Sequence, residues 1–207
     1  MSVAIIDYGM GNQGSVRRAL DELGCAPFVA ESPGDLAHAD RIVLPGVGSF
    51  GDGMRHLTEG GWIEALRGEI SCGKPLLGIC LGMQLLAQHG TEGTPTEGLG
   101  FISGEVVRLD TLGCTLRVPH VGWNSLTCCS TTSNLLNGIP SGTDFYFVHS
   151  FAFRAPEANL LATADYGIEF AAVVSNGQRV FGTQFHPEKS SKAGFRLLQN
   201  FLDIPSC

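Results

Sequence analysis

The chain has 207 residues, 43% of them hydrophobic and 16% charged, with 13 Lys+Arg against 20 Asp+Glu and a formal net charge of −7. So few charges on so apolar a chain exclude a disordered or purely solvating polypeptide, and the length favours one large domain with a real core. The acidic balance, with Arg17-Arg18 as the longest basic cluster, argues against general nucleic-acid binding, and no apolar run approaches the roughly 20 residues of a bilayer span.

In chain order, Val3-Ala4-Ile5-Ile6 is a short apolar run, stopped by Asp7 and a glycine cluster, and reads as a buried strand. Asp7 also interrupts the stretch before it can serve as a signal peptide. Val16, Ala19, Leu20 and Leu23 recur at helical spacing and predict an amphipathic helix over 15–23. Strands are expected at 27–30 and 41–44, a helical region at about 54–72 interrupted at Gly60-Gly61, a strand at 75–79 and a helix at 81–89. Apolar strands alternating with helices imply a mostly parallel sheet covered on both faces. From Glu105 the texture turns β-rich, with strands expected at 105–109, 145–148, 160–164, 170–175 and 179–183, an Asn176-Gly177 hairpin turn and a closing helix at about 192–202. Nothing reads as a linker. The expected architecture is one α/β domain over 1–207, with a mixed, mostly parallel central sheet flanked by helices and a β-rich C-terminal half.

The chain carries 28 glycines, about twice the usual share of roughly 7%, without repeats, which implies many tight loops. Its seven cysteines stand at 25, 72, 80, 114, 128, 129 and 207, with no Cys-x-x-Cys pair and no zinc-site spacing. Reduced thiols in the cytoplasm, no structural metal and no disulfide framework are expected.

Four segments carry candidate chemistry. Gly9-Met10-Gly11-Asn12-Gln13-Gly14 follows a strand, opens a helix and is trailed by Glu31, as a dinucleotide fingerprint would be, although such loops also serve as plain tight turns. Gly78-Ile79-Cys80-Leu81-Gly82 sits where a strand meets a helix, the context of a nucleophile elbow with cysteine as nucleophile. The other reading is a buried cysteine at a strand end. In Gly182-Thr183-Gln184-Phe185-His186-Pro187-Glu188, extended backbone around Pro187 puts His186 and Glu188 on one side, so Glu188 can bind one ring nitrogen and leave the other for Cys80. His38, His56 and His89 lack such context. Donors for a developing oxyanion are expected from the Leu81 N–H and from the glycine-rich Pro45-Gly46-Val47-Gly48-Ser49-Phe50 loop. Replacing Gly48 or Gly82 is expected to harm turnover more than folding.

Taken together, Pro45-Gly46-Val47-Gly48-Ser49-Phe50, Gly78-Ile79-Cys80-Leu81-Gly82-Met83-Gln84 and His186-Pro187-Glu188-Lys189-Ser190 resemble the class I, triad-type glutamine amidotransferases. Asp7-Tyr8-Gly9-Met10-Gly11-Asn12, Pro119-His120-Val121-Gly122-Trp123-Asn124 and Phe145-Tyr146-Phe147-Val148-His149-Ser150 narrow the resemblance to the glutaminase subunits of imidazole glycerol phosphate synthases, over nearly the whole chain. The resemblance implies that Cys80 attacks the side-chain amide of L-glutamine, His186 moves the proton and Glu188 orients His186. It places Gly46, Val47, Gly48, Leu81 and Gln84 at the oxyanion and substrate, and makes the 9–14 loop a structural turn. No cofactor or metal is implied.

The resemblance further implies a separate barrel-type cyclase as heterodimer partner in L-histidine biosynthesis, with Trp123, the 120–124 stretch and Lys189 near the interface. A paralogous subunit feeding ammonia to an amino-sugar synthase of surface-polysaccharide synthesis fits the same motifs. One position departs from the family: Phe151 follows His149-Ser150 where a tyrosine is usual, so the hydrogen bond of that hydroxyl does not carry over.

Overall fold

The computed structural model describes residues 1–129 and 133–205, so that Cys207 lies outside the described residues. The N-terminal half runs β1 (Ser2–Ile6), α1 (Gln13–Glu22), β2 (Ala26–Ala30), β3 (Arg41–Gly46), α2 (Phe50–Glu59), α3 (Trp62–Ser71), β4 (Leu76–Cys80) and α4 (Leu81–Leu85). Local chemistry sets these boundaries. The Asn12 side chain accepts from the Ser15 N–H and starts α1, and the Ser49 side chain does the same for the Asp52 N–H at α2. That cap explains why the helical region begins at Phe50, ahead of the expected residue 54. Gly61, left-handed at φ 70°, separates α2 from α3 where the interruption was expected.

One expectation is corrected. The helix predicted over 81–89 ends at Leu85, and His89 lies in a strand. The carbonyls of Leu85, Leu86, Ala87 and Gln88 accept from Leu99, Ile102, Gly100 and Gly98, so a distant loop takes the bonds that a longer helix would have used.

The C-terminal half adds β5 (His89–Gly90), β6 (Thr96–Glu97), β7 (Glu105–Arg108), β8 (His120–Ser125), β9 (Thr127–Cys128), β10 (Asp144–His149), β11 (Phe151–Arg154), β12 (Leu160–Asp165), β13 (Glu169–Ser175), β14 (Val180–Thr183) and α5 (Ser191–Leu202). Strands β5, β6, β8, β9 and β11 were not among the expected elements. The main sheet has eight strands in the order β2-β1-β3-β4-β14-β13-β12-β9. Neighbours from β2 to β14 are parallel, and from β14 to β9 antiparallel. Asn176-Gly177 turns β13 into β14, with Gly177 at φ 76°. Two smaller sheets, β10-β8 and β11-β7-β5-β6, complete the β-rich half.

The sheet divides the core in two. Along β1, Val3 and Ile5 join one apolar layer with Val16 and Leu20 of α1 and Phe201 of α5, while Ala4 and Ile6 join the other with Leu57 of α2 and Leu66 of α3. The period of a strand thus explains why both faces of β1, β3 and β4 are apolar beyond Ser2 and Arg41. Buried Arg41, at the start of β3, donates to the carbonyls of Phe201 and Ile204 and fastens the end of α5 to the sheet. Replacing it as Arg41→Met leaves both carbonyls without that donor. Urea unfolding should show a loss of about 1.5–3 kcal/mol.

Candidate active site

The turn from β4 into α4 sets the site. Cys80 holds φ 55° and ψ −109°, one of two non-glycine residues at positive φ among the described residues. Such a conformation costs roughly 1–3 kcal/mol and persists only where packing enforces it. Packing does so here. A Cβ at Gly78 would lie 2.5 Å from the Gly82 carbonyl oxygen, and one at Gly82 would lie 1.8 Å from the Leu44 oxygen. Gly82 therefore departs from the expectation of a mainly catalytic effect: any side chain there meets backbone and pushes α4 off β3.

The elbow aims the thiol into a cavity of about 320 Å³ whose walls include Val47, Gly48, Leu81, Gln84, His186 and Lys189. Parallel pairing of β3 with β4 sets Gly46 opposite Cys80 and so brings the 46–48 loop beside Cys80. A Cβ on Gly46 would come within 2.5 Å of the Tyr8 hydroxyl, which is buried without a hydrogen-bond partner among the described residues. Burial and the neighbouring Cys80 push the Tyr8 phenol up, so it stays neutral. Gly48 has φ 114°, open to glycine alone.

His186 meets Glu188 through its Nδ1, 2.9 Å from Oε1, leaving Nε2 for the sulfur. The extended segment expected around Pro187 is only half right. His186 is extended, but 187–189 forms a short 3-10 turn, which brings the carboxylate back to the ring. Ser190 locks this arrangement, its hydroxyl donating to the His186 carbonyl at 2.6 Å and accepting from the Tyr146 N–H at 3.0 Å. Burial opposes charge on the imidazole, but hydrogen bonds to the Cys80 and Glu188 side chains outweigh it and raise His186 to about 9.

Further polar groups surround the sulfur that the motifs did not single out. The Cys80 thiol is 3.7 Å from the Val148 carbonyl, and the Gln184 amide nitrogen is 3.8 Å from Sγ. Gln84 lines the cavity and donates at 3.0 Å to both the Phe151 carbonyl and Gln184 Oε1, which leaves its own oxygen unused by these bonds. His149 bonds the same Phe151 carbonyl through Nδ1 at 2.9 Å and His120 through Nε2 at 3.0 Å. Burial pushes His149 down to about 3, so it remains neutral. Glu92 also lines the cavity and accepts from the Phe50 N–H at 2.8 Å.

Of the two predicted interface positions, Trp123 is 55% exposed on β8, outside the cavity, whereas exposed Lys189 lines the cavity. The 9–14 loop is tied to itself, Asp7 accepting from the Gly9 N–H and the Gln13 side chain, as a structural turn requires.

The family description "Glutamine amidotransferase class-I" matches residues 4–204. The imidazole glycerol phosphate synthase subunit HisH 1 of Campylobacter jejuni (strain RM1221) is 47% identical over 203 residues, covering 98% of this chain and 100% of that protein. Subunit HisH of the same synthase from Moorella thermoacetica is 47% identical, covering 98% of this chain and 94% of its own. Among solved structures, PurLQS from Thermotoga maritima superposes with a TM-score of 0.77 at 19% identity, covering 98% of this chain and 97% of that one, which shows the shared fold.

The His186 environment makes a pH prediction. Its raised value means that the charged ring contributes stability in full below its ordinary 6.5, and that this contribution is lost as pH rises through about 9. Removing the carboxylate as Glu188→Gln withdraws one of the groups that raise His186. The His186 midpoint, followed by NMR of ring-labelled protein, should fall from about 9 toward the ordinary range.

Proposed function

This chain belongs to the class-I glutamine amidotransferases, among the HisH subunits of imidazole glycerol phosphate synthase, and from that premise we propose that Cys80, His186 and Glu188 hydrolyse L-glutamine to glutamate and ammonia. The carrying observation is the strained Cys80 elbow facing an imidazole already bonded to a buried carboxylate. The Cys80 proton rests on His186, whose basicity is raised by Cys80 and Glu188, and the sulfur forms a C–S bond to the amide carbon. Negative charge on the former carbonyl oxygen is met by the Leu81 N–H and by backbone of the 46–48 loop. As the C–N bond breaks, His186 returns its proton to the nitrogen and ammonia leaves. Water, deprotonated by His186, then adds to the thioester. Cleavage of the C–S bond releases glutamate and restores the Cys80–His186 pair, the water proton resting on the ring. Gln84 positions the glutamine, and no step calls for a cofactor or metal.

Ammonia released into neutral water is mostly protonated and no longer nucleophilic, so it must pass directly to an acceptor. The relatives are named as subunits of a synthase, which supports an acceptor site on another subunit. We propose that this subunit is a barrel-type cyclase forming a heterodimer with this chain. The ammonia would then go into imidazole glycerol phosphate and aminoimidazole carboxamide ribonucleotide in L-histidine biosynthesis. The HisH names of the relatives favour this pathway over an amino-sugar synthase.

A docking face next to the cavity supports the reading. Val121 and Val148 pair across β8 and β10, as do Trp123 and Tyr146, and Val121, Trp123 and Val148 are exposed. We place Trp123 and Lys189 at that interface, the first as an apolar anchor and the second lining the cavity. The free thiols at Cys25, Cys72, Cys114, Cys128 and Cys129 suit a reducing cytoplasm. No helix among the described residues is long and apolar enough to cross a membrane.

Glutamate release from glutamine, measured with and without the cyclase, tests the proposal; no release in either mixture refutes it. With Cys80→Ala, glutamine-dependent synthesis should vanish while synthesis from added ammonium salts persists, and equal loss of both would make Cys80 structural. At the docking face, Trp123→Ala should weaken complex formation about 10-fold or more by titration calorimetry. Its unfolding midpoint should stay at the wild-type value, because the ring is solvent-facing.

A further inference from the structure

Gln184 is fully buried, and its amide reaches the reacting sulfur. We propose that Gln184 is a further catalytic residue, whose side-chain N–H is aimed at Cys80 Sγ by a fixed chain of amide hydrogen bonds and favours the ionised sulfur that attacks. The proposal rests on the glutaminase reading above.

The direction of the amide follows from donor and acceptor arithmetic. A backbone carbonyl only accepts, so the Gln84 atom 3.0 Å from the Phe151 oxygen is its NH₂ group. The second N–H of that group donates to Gln184 at 3.0 Å, which requires an acceptor and fixes the Gln184 oxygen there. The remaining Gln184 group, its NH₂, is thereby turned toward Sγ at 3.8 Å, a sulfur hydrogen-bond distance. The backbone is equally constrained: the Gln184 N–H donates to the Ala172 carbonyl at 2.9 Å, and the His186 N–H to that of Tyr146 at 3.0 Å. A buried amide so held costs no reorganisation when charge develops.

The sulfur's other neighbours show why this donor matters. The Val148 carbonyl, 3.7 Å away, suits a protonated thiol and repels a negative sulfur. His186 takes the proton and carries it to the leaving nitrogen. Gln184 keeps its protons throughout, so its hydrogen bond is stronger to the ionised sulfur than to the thiol and favours the state in which the proton rests on His186. Removing the donor lowers the share of Cys80 ready to attack glutamine or an alkylating agent.

The test uses the reconstituted complex. Gln184→Met keeps approximate volume without a donor, and Gln184→Glu keeps the oxygen that Gln84 needs but sets a second carboxylate oxygen against the sulfur. The kcat for glutamate release should fall by about 10- to 100-fold for Met, the worth of one hydrogen bond to a charged group, and further for Glu. KM for glutamine should hold, because the amide touches the nucleophile and not the substrate. Alkylation of Cys80 by iodoacetamide, followed on the Cys80 peptide by mass spectrometry, should slow in the same order. Wild-type kcat in folded, complex-forming variants overturns the proposal. So does a raised KM at constant kcat, which would make Gln184 a substrate ligand. If both variants fail to fold, Gln84→Met frees the Gln184 amide to turn, and an unchanged alkylation rate there overturns it. A wild-type complex that releases no glutamate refutes the glutaminase reading instead, and the alkylation order still decides for or against the Gln184 contact.

Discussion

The turn at Cys80 exists because two glycines let backbone meet backbone. With Gly82 seated against the Leu44 carbonyl and Gly78 against that of Gly82, the chain has no room to relax the left-handed cysteine between them. The strain is therefore carried by the sheet, through β3 and β4, and not by the loop that displays the thiol. The other parts of the candidate site sit on neighbouring strand ends. The 46–48 loop leaves β3 next to β4, and the segment carrying His186 leaves β14 on the other side of β4. Strand order thus supplies the alignment that loops alone could not.

The second level of organisation is polar. The Phe151 carbonyl receives two donors, one from Gln84 and one from His149, and it is the common point of a network reaching from Cys80 to His120. His120 stacks on Tyr166 at 4.0 Å between ring centroids, so aromatic packing fixes the far end. Buried and uncharged, the two histidines are acceptors and donors of set direction, and His149 contributes no proton to compete with that of His186.

Much of this was legible in the chain. Continuous apolar runs marked β1, β3 and β4, and the glycines around Cys80 and the His186–Glu188 spacing could be read within a few residues. What escaped depends on partners far away in sequence. α4 stops at Leu85 because the 98–102 loop takes its carbonyls. Glu188 reaches its histidine through a turn that Ser190 pins to β10, 44 positions earlier. Gln184 stands two residues before His186, a period that places both toward one side, yet its role needs an amide orientation set by Gln84 across 100 positions. β8 alternates buried and exposed residues, but Gly122 and Asn124 weaken its strand signal.

Val148 occupies both sides of a partition. Its side chain is 37% exposed on the apolar β8–β10 face, while its carbonyl oxygen is the nearest backbone acceptor recorded for the Cys80 thiol. At this strand the wall between the outer surface and the reaction is one residue thick. A change to Val148 consequently reads out surface adhesion and sulfur electrostatics together, whereas Trp123, whose backbone faces Tyr146, reads out the surface alone.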